Sequence, residues 1–373
     1  MQDDQIFNSV KRACYAGLDS VTLRRTVSDR LSRAIPFDGY AFGTTDPDTN
    51  LLSHIVVEGL PSRMAEQFIR ELYPWELVHL HNRMARAGRF VFSAMDLTPE
   101  MHRHVQDSGF GYEVHVVLAA GGHMWGKFCL MHQGGPTSAD ARARTMLRRL
   151  APHMSRGLRA AALLENGLAP DAAFDTGTPG VLVLDEHDRP TIRTDAAMLL
   201  MDDVADVGLA LPDGIPISVR LLAAQLRSLH GRASDSVEVP NEVTIHTRGR
   251  SGRWYAIRAT LAEPDQSGDC STVIIIQPLG AHEIAPLLTR MYGLSARERE
   301  IAAAVARGES TKEIAHRLDI SPYTVAEHIG RACDKVGVRG RKALVAQLFL
   351  QGYVPGLCAE NPVRPGALAS SVA

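Results

Sequence analysis

The sequence predicts an α+β protein: two antiparallel-sheet domains followed by an all-α domain of four helices. Three observations predict it. Short apolar runs bounded by turn residues occur five times before residue 140 and five times between 179 and 280. From Leu288 to Leu350 these strand signals stop and helix-capping signals replace them. No strand–helix alternation of the kind that builds a parallel sheet is present, which argues against a phosphoacceptor receiver domain.

A chain of 373 residues suggests two to three domains. Hydrophobic residues make up 45% and charged residues 22%, enough apolar material to exclude a disordered or fibrous protein. The 40 basic and 42 acidic residues nearly cancel, so any nucleic-acid contact must come from a local patch. The cysteines Cys14, Cys129, Cys270, Cys333 and Cys358 are far apart and form no C-x-x-C pair. Their spacing offers neither a disulfide framework nor a zinc site, and no metal or cofactor is expected. The acidic, mixed N-terminus does not resemble a secretory signal, and the apolar runs at 114–120 and 273–276 are too short to span a bilayer. A reduced, soluble, cytoplasmic protein without a membrane partner is expected.

In the first domain, residues 1–165, apolar positions from Val21 to Ile35 have helical spacing. Strands at Asp38–Thr45 and Leu51–Val57 flank the turn Asp46-Pro47-Asp48-Thr49-Asn50. Helices are expected over Pro61–Leu72 and Pro99–Asp107, with a short strand at Arg89–Ser93. Gly111–Ala119 and Met124–His132 read as a hairpin around Gly121-Gly122, and Ser138–Leu164 as a long amphipathic helix. A Gly/Pro/Asp-containing linker spans 166–178.

The second domain, 179–280, opens with strands Val181–Leu184 and Pro190–Arg193 around the solvated turn Asp185-Glu186-His187-Asp188. Helices follow from Asp195 and over Pro216–His230, then a meander of strands at Glu242–Arg248, Arg253–Leu261 and Thr272–Gln277.

The last structured segment, 288–351, carries the strongest signals, with a mobile tail expected over 352–373. Ser295 with Glu298, and Ser310 with Glu313, are capping boxes. Ser321-Pro322 opens a third helix, Gly308 and Gly337 close the first and third, and Arg341–Leu350 forms a fourth. Two short capped helices joined by a tight turn make a helix-turn-helix. The third helix turns Tyr323, Thr324, Glu327, Arg331 and Lys335 away from its apolar stripe, and the N–H groups at Ser310 and Ser321 suit phosphate oxygens. Eleven basic and seven acidic residues from Arg290 to Leu350 give +4, against −2 for the whole chain. The charge is segregated as DNA contact requires.

At these residues the segment resembles the LuxR-type (NarL/FixJ-like) DNA-binding domain. The matching run is Leu294-Ser295-Ala296-Arg297-Glu298-Arg299-Glu300, Gly308, Lys312-Glu313-Ile314-Ala315, Leu318, Ile320-Ser321, Thr324-Val325, His328, Lys335-Val336-Gly337-Val338 and Arg341. The resemblance implies a four-helix module that binds double-stranded DNA as a homodimer, with the third helix in the major groove. It places Ala326, Glu327, Gly330 and Arg331 at base-facing positions, and Lys312, Ser321, Thr324 and Lys335 with them in the DNA site. The chain departs from the family where Ala326-Glu327 follows the Thr-Val pair in place of a basic residue. Glu327 suits a cytosine amino group, and Arg331 a guanine or a phosphate.

Upstream, the strand–strand–long-helix ending of the first domain resembles a GAF domain, and the second domain resembles a PAS-type domain. Both families enclose small molecules, which implies a sensed effector. Tyr40, Tyr73, Trp75, Phe92, Phe110, Tyr112 and Trp125 are the candidate lining, although each taken singly reads more readily as an ordinary core aromatic. The histidines of this domain, His81, His102, His104 and His115 among them, read as surface or hydrogen-bonded groups rather than metal ligands. Gly121-x4-Gly126-Lys127 approaches a phosphate-binding loop, but Phe128 stands where a hydroxyl must ligate magnesium, and the glycines lead into a strand.

The reading is a DNA-binding transcription regulator controlled by an effector or by dimerisation, and not an enzyme. An enzyme with a site in the first domain would need a convergent polar set that the sequence does not display. A third reading is a pure interaction protein whose helical tail binds another protein, which band shifts over a salt series separate from DNA binding. A homoserine-lactone-type receptor regulator normally carries one sensory domain directly before its DNA module, whereas here a second domain intervenes.

Overall fold

The alternating runs pair as two five-stranded antiparallel sheets in a computed structural model that describes residues 2–61, 77–93, 109–134, 138–165, 178–208, 211–231, 240–262 and 270–350. The chain divides into two units, Met1–Leu279 and Gly280–Ala373. The expected helices at 61–72 and 99–107, the linker 166–178 and the tail 352–373 fall, apart from Pro61 and Thr178, outside the described residues, as do Tyr73 and Trp75.

The first sheet contains β1 (Gly39–Thr45), β2 (Leu52–Glu58), β3 (Val91–Ser93), β4 (Tyr112–Ala120) and β5 (His123–His132), in the order β2-β1-β5-β4-β3. The second contains β6 (Gly180–Leu184), β7 (Pro190–Arg193), β8 (Glu242–Arg248), β9 (Trp254–Leu261) and β10 (Thr272–Pro278), in the order β7-β6-β10-β9-β8. Counted within each sheet, the two orders are the same. Gly121 and Gly122 both take positive φ, +64° and +83°, which makes the two-residue turn between β4 and β5 cheap only for glycine. At the β1–β2 turn, Oδ1 of Asp46 accepts the N–H groups of Asp48 and Thr49.

One face of the first sheet carries α4 (Ser138–Glu165), against which α1 (Gln2–Cys14) and α2 (Ser20–Ser32) pack. Met146, Leu147, Leu150, Met154 and Leu158 of α4 are buried there, and Arg142, Arg148, Arg149 and Arg156 face outward. The apolar side of this helix is therefore spent inside its own unit, and its outer face is basic. Arg24 of α2 is almost fully buried and donates to the carbonyls of Ser20, Phe42 and His54. These charge-assisted bonds clamp the helix to the sheet edge. The opposite face carries α3 (Val78–Arg86), which sequence periodicity did not single out.

The second sheet packs α5 (Asp195–Asp203) and α6 (Ile217–Gly231). The two sheets share one hydrophobic core, running from Leu52, Val57, Leu80 and Val117 to Leu221, Ile245, Ile257 and Ile274. Polar bonds reinforce the junction. Val207 donates to the carbonyl of Ile55 and accepts from the N–H of Val57, which extends the β2 edge. The half-buried Asp206 carboxylate accepts the N–H groups of Ile55 and Ser218, and Asp46 accepts both the N–H and Nδ1 of His246.

The helical unit contains α7 (Ala281–Met291), α8 (Ala296–Ala306), α9 (Thr311–Leu318), α10 (Pro322–Val336) and α11 (Arg341–Val345), the last continuing as a π-helical turn, Ala346–Leu350. Ile301, Ala304, Val305, Ile314, Ala315 and Val325 form its core, with Leu318, Ile320, Ile329 and Val345 packed around them.

Candidate nucleic-acid interface

Both capping boxes form. Ser295 and Ser310 accept the N–H groups of Glu298 and Glu313, whose carboxylates take the serine N–H groups in return. Asp319 ends α9 in the left-handed region at φ +51°, a conformation that an Asx side chain tolerates. Ser321 caps α10 by accepting the N–H of Thr324 and bonding its hydroxyl at 2.8 Å, and Gly337 closes the helix at φ +78°. The tight turn between α9 and α10 therefore rests on local backbone chemistry, while Ile314, Ala315 and Val325 lock the two helices together.

This packing leaves one face of α10 outside. Val325, Ala332, Cys333 and Val336 are buried, and Ala326, Glu327, Gly330 and Arg331 are exposed together with Tyr323 at the helix start. The four expected base-facing positions thus lie on one surface. Ser321 and Thr324 sit at its N-terminal end. The first turn of α10 holds no acid, whereas Glu313 occupies that of α9. The free N–H groups of α10 are the better anion site of the two.

The cations differ in how committed they are. Arg331 pairs with Glu327 one turn earlier, at 2.5 Å. Lys335 reaches the buried carboxylate of Glu298 at 2.6 Å, across to α8. Arg297, Arg307 and Arg317 pair with Glu300 and Glu309, and Arg341 donates to the Glu309 carbonyl. Lys312, Arg339 and Lys342 are exposed and make no ion pair among the described residues. Arg339 and Lys342 entered the sequence reading only through the charge count. Their position beside the Gly337 and Gly340 turns, past the end of α10, was the available signal.

Burial alone would raise the carboxyl of Glu298, but the Lys335 ammonium and the Ser295 N–H outweigh it and hold it below its ordinary value.

In the upstream unit the candidate lining aromatics scatter. Tyr40 donates to Glu58 and meets Phe128 edge-on, Trp125 donates to the Ala120 carbonyl, and Phe110 packs against Met131. Phe92 stacks on His115, and Tyr112 is buried on β4. These described aromatics do not converge on one point. Gly121 and Gly126 lie in a hairpin turn and a strand, not at a helix start, so the phosphate-loop reading fails on structure as it did on sequence. No helix among the described residues is long and apolar enough to cross a membrane.

Residues 293–348 match the family of bacterial regulatory proteins, luxR family. The spore germination protein GerE of Bacillus subtilis is 43% identical over 67 residues, which are 18% of this chain and 82% of GerE. The probable transcriptional regulatory protein NarL of Mycobacterium tuberculosis is 45% identical over 58 residues, 16% of this chain and 27% of NarL. The solved Vibrio cholera VqmA–ligand–DNA complex overlaps 49% of this chain and 87% of its own at 20% identity. Its TM-score of 0.23 is too low to bear on function. The match to GerE spans most of that protein, and the family match at 293–348 coincides with the helices just described, so the chain belongs to the luxR family of bacterial regulatory proteins, DNA-binding regulators of transcription.

Proposed function

We propose that this chain reads a specific duplex sequence as a homodimer, with α10 in the major groove and the two-sheet unit setting when the paired modules engage. The observation that carries the reading is the single exposed face of Ala326, Glu327, Gly330 and Arg331, backed by the buried stripe of the same helix. Glu327 and Arg331 offer base-edge chemistry, while Lys312, Arg339 and Lys342 supply charge for phosphates. Lys335 positions the helix through Glu298.

The two sheets share a strand order and sit beside helices in the manner of GAF-like and PAS-like sensory domains, which supports a small-molecule effector. An effector would act by shifting the population between arrangements that do and do not set two recognition helices about 34 Å apart, one turn of DNA.

Band shifts over a salt series test the DNA reading. Neutralising about four phosphates gives a log–log slope near −3.6, and a salt-insensitive signal removes the proposal. Mass spectrometry of molecules that co-purify with the full chain tests the effector.

A further inference from the structure

Strands β4 and β5 bring together residues that lie far apart in sequence. His115 faces Cys129 across the ladder, and Glu113, two residues before His115, shares their face of the sheet. This is the face that α3 covers. His81 of α3 brings its Nε2 to within 3.3 Å of His115 Nδ1, and Phe92 stacks flat on the His115 ring. Glu113, His115 and His81 are each more than nine-tenths buried.

The polar atoms converge. Cys129 donates its thiol to Oε1 of Glu113. His115 Nε2 lies 3.2 Å from that same oxygen but is misaligned for a hydrogen bond, so it has no hydrogen-bond partner among the described residues. A buried imidazole nitrogen held near a carboxylate and a thiol, and hydrogen-bonded to neither, has the arrangement of a metal ligand. We propose that Glu113, His115 and Cys129 bind a divalent cation of the zinc class, with His81 holding His115 from behind.

Distance and chemistry agree. The three ligand atoms lie within 4.8 Å of one another, and a tetrahedral zinc with bonds of about 2.0–2.3 Å sets its ligands roughly 3.2–3.8 Å apart. Sulfur, imidazole nitrogen and carboxylate oxygen together suit zinc, whereas magnesium and calcium favour oxygen alone. His115 would ligate through Nε2 while its Nδ1–H donates to His81, the outer bond that fixes the tautomer of a ligating histidine. Binding replaces the thiol proton, which leaves to solvent. One thiolate and one carboxylate then balance the ion, so the loaded site is neutral, one positive charge above the unloaded site with its Glu113 carboxylate. Three protein ligands leave the fourth position to water.

Two other clusters lack this character. Both carboxylate oxygens of Asp46 are already used, by Asp48, Thr49 and His246. Asp185, Glu186 and His187 lie on a largely exposed turn. The inference reverses the expectation from cysteine spacing, because the ligands come from two strands and no local motif announces them.

Cobalt titration of the chelator-stripped full-length chain tests it. One equivalent of Co²⁺ should bind with a thiolate-to-cobalt charge-transfer band, which Zn²⁺ then displaces. The band should vanish in Cys129→Ser and persist in Cys270→Ser. His81→Gln should keep the band but weaken affinity about 10- to 100-fold. Absence of the band from the wild-type chain at equimolar Co²⁺ overturns the proposal without recourse to any variant, as does its survival in Cys129→Ser.

Discussion

Lys335 donates to Oε2 of Glu298 at 2.6 Å, tying the last turn of α10 to the first turn of α8. The same Oε2 accepts the Ser295 N–H of the capping box. A side chain that the family resemblance puts at the DNA thus also anchors α10 to α8.

Lys335→Gln should therefore act on stability. It leaves a buried carboxylate with less compensation, at a cost of about 1–2 kcal/mol, below the 3–5 kcal/mol of a fully buried pair because Lys335 is itself part-exposed. The salt slope of DNA binding should stay near the wild-type value. Lys312→Gln should do the reverse, reducing the slope by about 0.9 while stability stays within about 0.5 kcal/mol. Chemical denaturation and salt-dependent band shifts on both variants check the pair, and equal slope losses would return Lys335 to the phosphate set.

Two carboxyls impose opposite pH trends. Burial pushes Asp206 up to about 6 even though it accepts the N–H groups of Ser218 and Ile55. The folded chain holds this proton more tightly than the unfolded one, so the contribution is full below the ordinary value of 3.8 and is lost as pH rises through 6. For Glu298, held low, the contribution is present above the ordinary 4.5 and is lost as pH falls through its depressed value. Melting curves between pH 4 and 7 should flatten in Asp206→Asn. An unchanged slope in that variant would show that another group controls the trend.

The local elements were legible because their causes are local. Ser295 with Glu298, and Ser310 with Glu313, sit three residues apart, and Gly121-Gly122 marks its own turn. The strand order within each sheet was not legible, since β1 pairs with β5 across nearly ninety residues of chain. Helix α3 escaped notice because His79, His81, Asn82 and Arg83 interrupt its apolar pattern, although Val78, Leu80 and Met84 are buried. The recognition face could be listed from sequence. That Lys335 is engaged with Glu298, 37 residues away, could not.

Gly208 should prove indispensable to the junction of the two sheets. Its φ is +90°, and a Cβ there would overlap the carbonyl oxygen of Val57, whose N–H bonds to Val207. Gly208→Ala should destabilise the chain by about 2 kcal/mol or more, combining backbone strain with loss of the β2 edge bonds. A denaturant midpoint equal to wild type would show that the edge yields freely.

Gly330 offers a separation of stability from recognition. It lies in the interior of α10, exposed, with nothing within 4 Å of the space a Cβ would fill. Gly330→Ala should stabilise the helix by about 0.5–1 kcal/mol. If the bare backbone is there to admit the floor of the groove, the same change should weaken specific DNA binding at least several-fold. Gains in both stability and affinity would remove Gly330 from the interface.

Arg331 and Glu327 settle which groups read bases. In the free chain they pair on an exposed helix surface, a contact worth only about 0.3–0.5 kcal/mol and so readily opened by DNA. Arg331→Ala should cost specific binding about 1–3 kcal/mol and leave the melting temperature nearly unchanged. Glu327→Ala should relax preference at one base pair, where the carboxylate accepts from a cytosine amino group. It should also tighten binding to non-specific duplex, because a negative charge leaves the surface that faces the polyanion. Selection of operators from a randomised pool with each variant distinguishes the roles. A base preference lost in neither variant would move recognition off this face of α10.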